Sequence, residues 1–192
     1  MKNDRDLRNI GARVVLLMCC MLIFACDTEN QYSTKYRCSF YFDTAKHPTS
    51  ILTRSLSNPG MWVFVSVQQK QGVNHVMVSP NSGNKNDDED IAMTTEIENN
   101  RINYNNLGAN NGIIVGCSNF NGIRAYDKLC PHCLEKSKNS PLEWDDNKQQ
   151  VRCKACKLTY MLETGNCTTE SLRLLEYKVA YSGEGMPLQV YN

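Results

Sequence analysis

The chain has almost no net charge: 21 lysines and arginines stand against 20 aspartates and glutamates. Such a balance gives no electrostatic footprint for nucleic acid or an anionic membrane surface, both of which need clustered basic excess. Long hydrophobic runs are missing too. The longest uncharged apolar stretch, residues 14–25, has 12 residues, well short of the roughly 20 that a membrane-spanning helix needs. There is no glycine-rich phosphate loop and no nucleophile elbow, and no pair of carboxylates stands out from ordinary surface charge. Sustained helical periodicity and internal repeats are also absent. With 41% hydrophobic residues, 21% charged residues and a mean hydropathy of −0.47, the class that remains is a globular protein long enough to build its own core.

What the chain does have is cysteine, ten in 192 residues. Their placement is uneven, and the first three belong to the N-terminal segment. Lys2, Arg5, Arg8 and Arg13 make a basic start, followed by the 12-residue apolar run; this is the pattern of an export signal. The run ends Leu22-Ile23-Phe24-Ala25-Cys26, which resembles a bacterial lipobox with an imperfect Phe24. Residues 1–25 are therefore expected to be a lipoprotein signal peptide, Cys26 the lipidated residue, and the polar residues 26–35 a tether. An ordinary signal peptide cleaved near Ala25, or an uncleaved anchor, is the plainer alternative. A lipid anchor places the protein in the bacterial cell envelope, facing the periplasm or the cell surface. Removing residues 1–25 leaves 17 basic and 18 acidic residues, so the mature chain still offers nothing to nucleic acid.

Residues 36–192 read as a single mainly β domain. The strongest strand is Met61-Trp62-Val63-Phe64-Val65-Ser66-Val67 after an Asn58-Pro59-Gly60 turn, with residues 73–78 returning beside it as a hairpin. Residues 36–42 suggest a first strand. Gly112-Ile113-Ile114-Val115-Gly116 and Ile123-Arg124-Ala125-Tyr126 flank the turn dipeptide Asn121-Gly122, a hairpin signal. Residues 174–181 and 187–191 form a closing pair, and a short helical pattern covers residues 168–175. Residues 80–90 and the asparagine-rich stretch 99–111 read as irregular. The acidic run Asp87-Asp88-Glu89-Asp90 lacks the alternation and central glycine of a calcium loop, so it reads as a solvated turn.

The chemistry sits between the last two hairpins. Cys130-Pro131-His132-Cys133 is followed, after 19 residues, by Cys153-Lys154-Ala155-Cys156. Each Cys-x-x-Cys turn aims two sulfurs at one point, and two such knuckles close a four-sulfur cage of the kind that holds tetrahedral zinc. Two other outcomes fit the same residues. An exported protein can close such pairs as disulfides, and a thiol–disulfide oxidoreductase uses one pair at a helix start within a βαβ unit. The doubled motif and strand-like surroundings favour the metal.

Ile123-Arg124-Ala125-Tyr126-Asp127-Lys128-Leu129-Cys130-Pro131-His132 resembles the approach to the first cluster loop of Rieske-type iron–sulfur proteins. Val151-Arg152-Cys153-Lys154-Ala155-Cys156, running on to Gly165, resembles the second loop, and residues 175–190 resemble the closing hairpin. The resemblance covers residues 111–192. It implies an antiparallel Rieske-like β-sandwich with a small metal-binding subdomain of two knuckle loops at residues 128–160. Such proteins hold a [2Fe–2S] cluster through a Cys-x-His and a Cys-x-x-His loop. Here Cys130, His132 and Cys153 match, whereas Cys156 stands in the place of the second histidine, and Cys133 adds a sulfur that pattern does not use. The resemblance thus leaves two ligand sets: structural Zn²⁺ on Cys130, Cys133, Cys153 and Cys156, or a [2Fe–2S] electron-transfer centre on Cys130, His132, Cys153 and Cys156. Cys38, Cys117 and Cys167 remain for one disulfide, with Cys117 as its expected member. His47 and His75 read as lone surface histidines, Trp62 as core, and Trp144 as a residue that packs on or shields the site.

Overall fold

The computed structural model describes residues 31–192. The signal segment, Cys26 and the first residues of the tether lie outside the described residues. The architecture is mainly β and antiparallel, as expected, with three short α-helices among the described residues: α1 (Ile51–Ser55), α2 (Glu96–Arg101) and α3 (Pro131–Glu135). No helix among the described residues is long and apolar enough to cross a membrane.

Eight strands form one sheet. They are β1 (Ser39–Phe42), β2 (Trp62–Lys70), β3 (Val73–Pro80), β4 (Glu89–Ala92), β5 (Ile113–Cys117), β6 (Ile123–Asp127), β10 (Glu176–Ala180) and β11 (Leu188–Tyr191), in the order β1-β11-β10-β6-β5-β2-β3-β4. Three more, β7 (Leu142–Trp144), β8 (Gln150–Cys153) and β9 (Thr159–Met161), make a separate sheet inserted in the chain between β6 and β10. The larger sheet curls through β10. Glu176 and Tyr177 pair with β6, while Lys178–Ala180 pair with β11. The curl brings Phe40, Phe42, Leu188 and Val190 into one buried cluster with Val63, Val65, Val76, Val78, Ile113 and Val115.

The unbroken apolar run of β2 follows from burial on both faces, where alternation cannot show. Val63 and Val65 enter the main core, while Trp62 and Phe64 point the other way. There they join Ile114, Tyr126, Leu142, Val151, Tyr160, Leu162 and three of the knuckle cysteines in a second cluster. The small sheet is therefore fastened to the outer face of β2, β5 and β6 by large buried side chains, Trp62, Tyr126 and Tyr160 all being fully buried. Gly116 is required beneath this contact. A Cβ there would meet the Trp62 ring Cε3 at 2.6 Å and the Met61 carbonyl closer still.

Several expectations are corrected here. Residues 168–175 contain no helix. Cys167, Leu172 and Leu174 instead pack as extended chain against the second cluster, and Asn166 bridges Arg173. The asparagine-rich stretch begins inside α2, which is capped by the Thr95 side chain accepting the Glu98 N–H. The acidic run ends in β4, an edge strand paired to β3. Cys38, Cys117 and Cys167 form no disulfide: all three are free thiols. Cys38 lies in the main core and Cys167 in the second cluster, on opposite faces of the sheet, out of bonding reach.

Candidate metal centre

The first knuckle grows out of the end of β6. Asp127, fully buried at the last position of that strand, accepts the Leu129 N–H at 2.7 Å, the Ala109 N–H at 2.7 Å and the Tyr177 hydroxyl at 2.7 Å. Burial raises its carboxyl pKa, and those three donors pull against the rise. The network fixes where the chain leaves the sheet. Cys130 then acts as the N-cap residue of α3, with Pro131 at the first helical position, where its locked φ costs nothing and its missing N–H is not needed. The Cys130 N–H is tied to Ser140 O at 2.9 Å and the Leu142 N–H to Lys128 O at 2.8 Å. These bonds return the chain to β7 beside the knuckle.

The second knuckle closes β8. Cys153 is the last residue of that strand, opposite Leu142 in β7. The turn Lys154-Ala155-Cys156 is completed by Lys157 at φ 66°, a left-handed position that a lysine occupies at some cost. The Cys153 N–H donates to Leu158 O at 2.9 Å, and Lys157 N–H returns to Cys153 O at 2.8 Å.

Together the two turns bring the sulfurs of Cys130, Cys133, Cys153 and Cys156 within 4.8 Å of one another. Across the knuckles, Cys130 Sγ lies 3.6 Å from Cys156 Sγ, and Cys133 Sγ lies 3.6 Å from Cys153 Sγ. A tetrahedron with metal–sulfur bonds of about 2.3 Å has edges of about 3.8 Å, whereas a disulfide requires about 2.05 Å. The arrangement is the former. Cys130, Cys133 and Cys153 are buried and Cys156 is half-buried, so the cage opens to solvent along one edge.

The electrostatics around the sulfurs are those of a site waiting for positive charge. Burial raises the Cys130 thiol strongly, against a backbone N–H from Cys133 and the Tyr160 hydroxyl, which lies 3.6 Å from the sulfur. Burial also raises Cys156, against an N–H from Leu158. At Cys153 the balance goes the other way: burial raises it, but N–H donors from Cys156 and Ala155 prevail and the thiol is lowered. Amides aimed at the sulfurs favour thiolates, while the low-dielectric surroundings oppose them unless a cation joins.

His132 is not part of the cage. It sits on α3 between the two cysteines, half-buried, with Nε2 2.9 Å from Lys136 Nζ. Of the two ligand sets, the structure assembles the four sulfurs and leaves the imidazole outside. His47 and His75 likewise serve locally. His47 Nε2 meets the buried Glu98 carboxylate at 2.9 Å and His75 Nδ1 meets Asp90 at 2.6 Å. Trp144 stacks on Phe64 with ring centroids 3.7 Å apart, and Trp62 is fully buried. Spacing could not single out Asp127 and Tyr160. Both depend on contacts with distant residues, and only their place just before and after the knuckles hinted at them.

No family model matches the chain, and no curated protein matches it. Three solved chains match. One is a crystal structure described as a nitrite reductase NADPH (small subunit) oxidoreductase protein. It is 15% identical, with a TM-score of 0.27, over 42% of this chain and 76% of that one.

Proposed function

We propose that this protein is an exported lipoprotein whose Rieske-like β domain holds one structural zinc ion through Cys130, Cys133, Cys153 and Cys156. The observation that carries the metal reading is the four-sulfur cluster, with its 3.6 Å contacts between knuckles. Zinc is the ion of choice because it accepts four thiolates in a tetrahedron and makes no redox demand on the site. The two loops it joins contribute strands of only three or four residues, too short to hold each other by pairing alone. In this reading, metal-binding energy is folding energy for the subdomain. Its role is structural or in binding rather than catalytic, and the second cluster transmits the fixed loop geometry to β2, β5 and β6.

The Rieske-like character rests on the order of parts: an antiparallel sheet, two cysteine loops inserted as a three-stranded unit between β6 and β10, and a closing hairpin. Export and lipid anchoring at Cys26 rest on the sequence alone, as does placement in the bacterial cell envelope. Elemental analysis of the reduced, purified protein, combined with its visible spectrum, tests the metal assignment. One zinc per chain and no visible absorption is the expected result. Brown colour with iron would replace zinc by an iron–sulfur centre, and a metal-free protein would remove the metal reading. Labelling with radioactive palmitate, abolished by Cys26→Ser, tests the anchor separately.

A further inference from the structure

The loop joining β5 to β6, Ser118-Asn119-Phe120-Asn121-Gly122, holds the most exposed large hydrophobic side chain among the described residues, Phe120, at 89%. A single exposed phenylalanine is ordinary on a protein surface. Two observations set this one apart. The first is its support. The Glu163 carboxylate accepts the Asn119 N–H at 2.8 Å, the Phe120 N–H at 3.1 Å and the Asn121 side-chain N–H at 2.8 Å. Ser118 Oγ takes the Asn121 N–H at 2.6 Å, and the Ser118 N–H closes the loop on Gly122 O at 2.8 Å. Residues 117–123 carry no charged side chain, and the carboxylate beneath them is engaged by their own donors. The tip therefore presents an aromatic ring on a neutral, fixed support, which can leave water at small desolvation cost.

The second observation is where the chain enters the domain. Arg124 donates from Nη1 to Glu163 O at 3.0 Å, and from Nε and Nη2 to the two carboxylate oxygens of Glu176 at 3.0 and 2.7 Å. The Glu176 carbonyl in turn accepts the Ser33 N–H at 2.7 Å, and Glu176 bridges Tyr32. Tyr32 is itself a part-exposed aromatic residue, at 39%. Phe120 and Tyr32 thus hang on one network, through Glu163 and the buried Arg124–Glu176 pair. Six residue steps separate Tyr32 from Cys26, at most about 20 Å of fully extended chain. A lipid on Cys26 keeps Tyr32, and with it the network that carries Phe120, close to the bilayer surface.

We infer that the β5–β6 tip is a membrane-contact surface, with Phe120 entering the interfacial layer of the bilayer that carries the Cys26 lipid and Tyr32 standing at headgroup level. Aromatic side chains favour that layer. An anchor at one point fixes distance but not orientation, and a second apolar contact on a rigid support fixes which side of the domain faces the lipid. The inference rests on the lipid anchor proposed above and is independent of the metal in the cage.

Fluorescence quenching by brominated lipid tests the contact. The full chain, recovered from membranes and checked for palmitate label, is placed in phosphatidylcholine vesicles whose acyl chains are plain or brominated. Phe120→Trp should lose at least about half of the emission added by its new indole when the lipid is brominated, as an interfacial aromatic would. The native tryptophans give the baseline, Trp62 being fully buried and Trp144 stacked on Phe64. Ile97→Trp is the control. Ile97 is also exposed, but it lies on α2, whose Asn99 accepts the Asn74 N–H at the β2–β3 turn. That turn is at the far end of β2 from the Trp62–Gly116 pair beside the tip, so emission from Ile97→Trp should be the same in both lipids. Labelled protein in which Phe120→Trp is unquenched overturns the inference and leaves the anchor standing. Blue-shifted but unquenched emission overturns it in favour of a protein contact, and equal quenching of both variants overturns it because no side of the domain is then preferred. Absence of label on Cys26 removes the anchor and the inference with it.

Discussion

Replacing Cys133 by serine and His132 by glutamine, separately, divides the two ligand sets that the sequence leaves open. Cys133 Sγ lies 3.6 Å from Cys153 Sγ inside the cage, whereas His132 Nε2 lies 2.9 Å from Lys136 Nζ at the surface of α3. Structural zinc in small domains is bound with an apparent free energy of about 10–16 kcal/mol. Divided among four thiolates, that is about 2.5–4 kcal/mol per ligand. A serine hydroxyl cannot replace a thiolate at neutral pH, so Cys133→Ser should weaken metal binding by roughly two to three orders of magnitude. His132→Gln removes nothing from the cage and should change affinity by less than about threefold. Competition with a chromophoric chelator reads both values, and the cobalt-substituted protein reports the ligand field directly. Strong loss in His132→Gln together with retention in Cys133→Ser would refute the four-sulfur assignment and restore the mixed cysteine–histidine set.

Three further outcomes follow from the packing. Tyr160→Phe keeps the fully buried ring but removes the hydroxyl 3.6 Å from Cys130 Sγ; it should lower thermal stability by about 1 kcal/mol and leave the metal stoichiometry at one, as measured by unfolding and elemental analysis. Gly116→Ala places a methyl group 2.6 Å from the Trp62 ring and should cost about 1–3 kcal/mol through overpacking, seen as a lower denaturation midpoint. Glu98 is buried, and although burial raises its pKa, hydrogen bonds from Thr95 and His47 prevail and lower it. Its contribution to stability is therefore present above the ordinary glutamate pKa of about 4.3 and lost as pH falls through the lowered folded value. Thermal melts from pH 6 to pH 3 should show a smaller decline in Glu98→Gln than in the wild type, and equal declines would contradict the assignment.

Much of the fold was legible because hairpins announce themselves locally. Residues 62–67 and 73–78 lie within the β2–β3 pair, and Asn121-Gly122 ends the loop that joins β5 to β6. What escaped was decided by distant partners. β4 hides in an acidic run because it is an edge strand: Asp90 points to Lys70 and His75 rather than to a core. α2 escapes because six residues carry too little periodicity, and its hold comes from the Thr95 cap and the buried Glu98. The helical pattern at residues 168–175 misleads because Leu172 and Leu174 alternate toward the second cluster as extended chain. At the site, paired spacing sufficed to nominate both knuckles. It could not choose between His132 and Cys133, which are adjacent in sequence. In the structure α3 after Pro131 brings the Cys133 sulfur into the four-sulfur cluster and sets the His132 imidazole beside Lys136.

X-ray absorption at the zinc edge, on protein purified under reducing conditions without added metal, addresses the four-thiolate centre most directly. Four sulfur scatterers at about 2.3 Å and no nitrogen or oxygen neighbour are the predicted result. A first coordination sphere containing imidazole nitrogen, or an absorption edge belonging to iron, would contradict it.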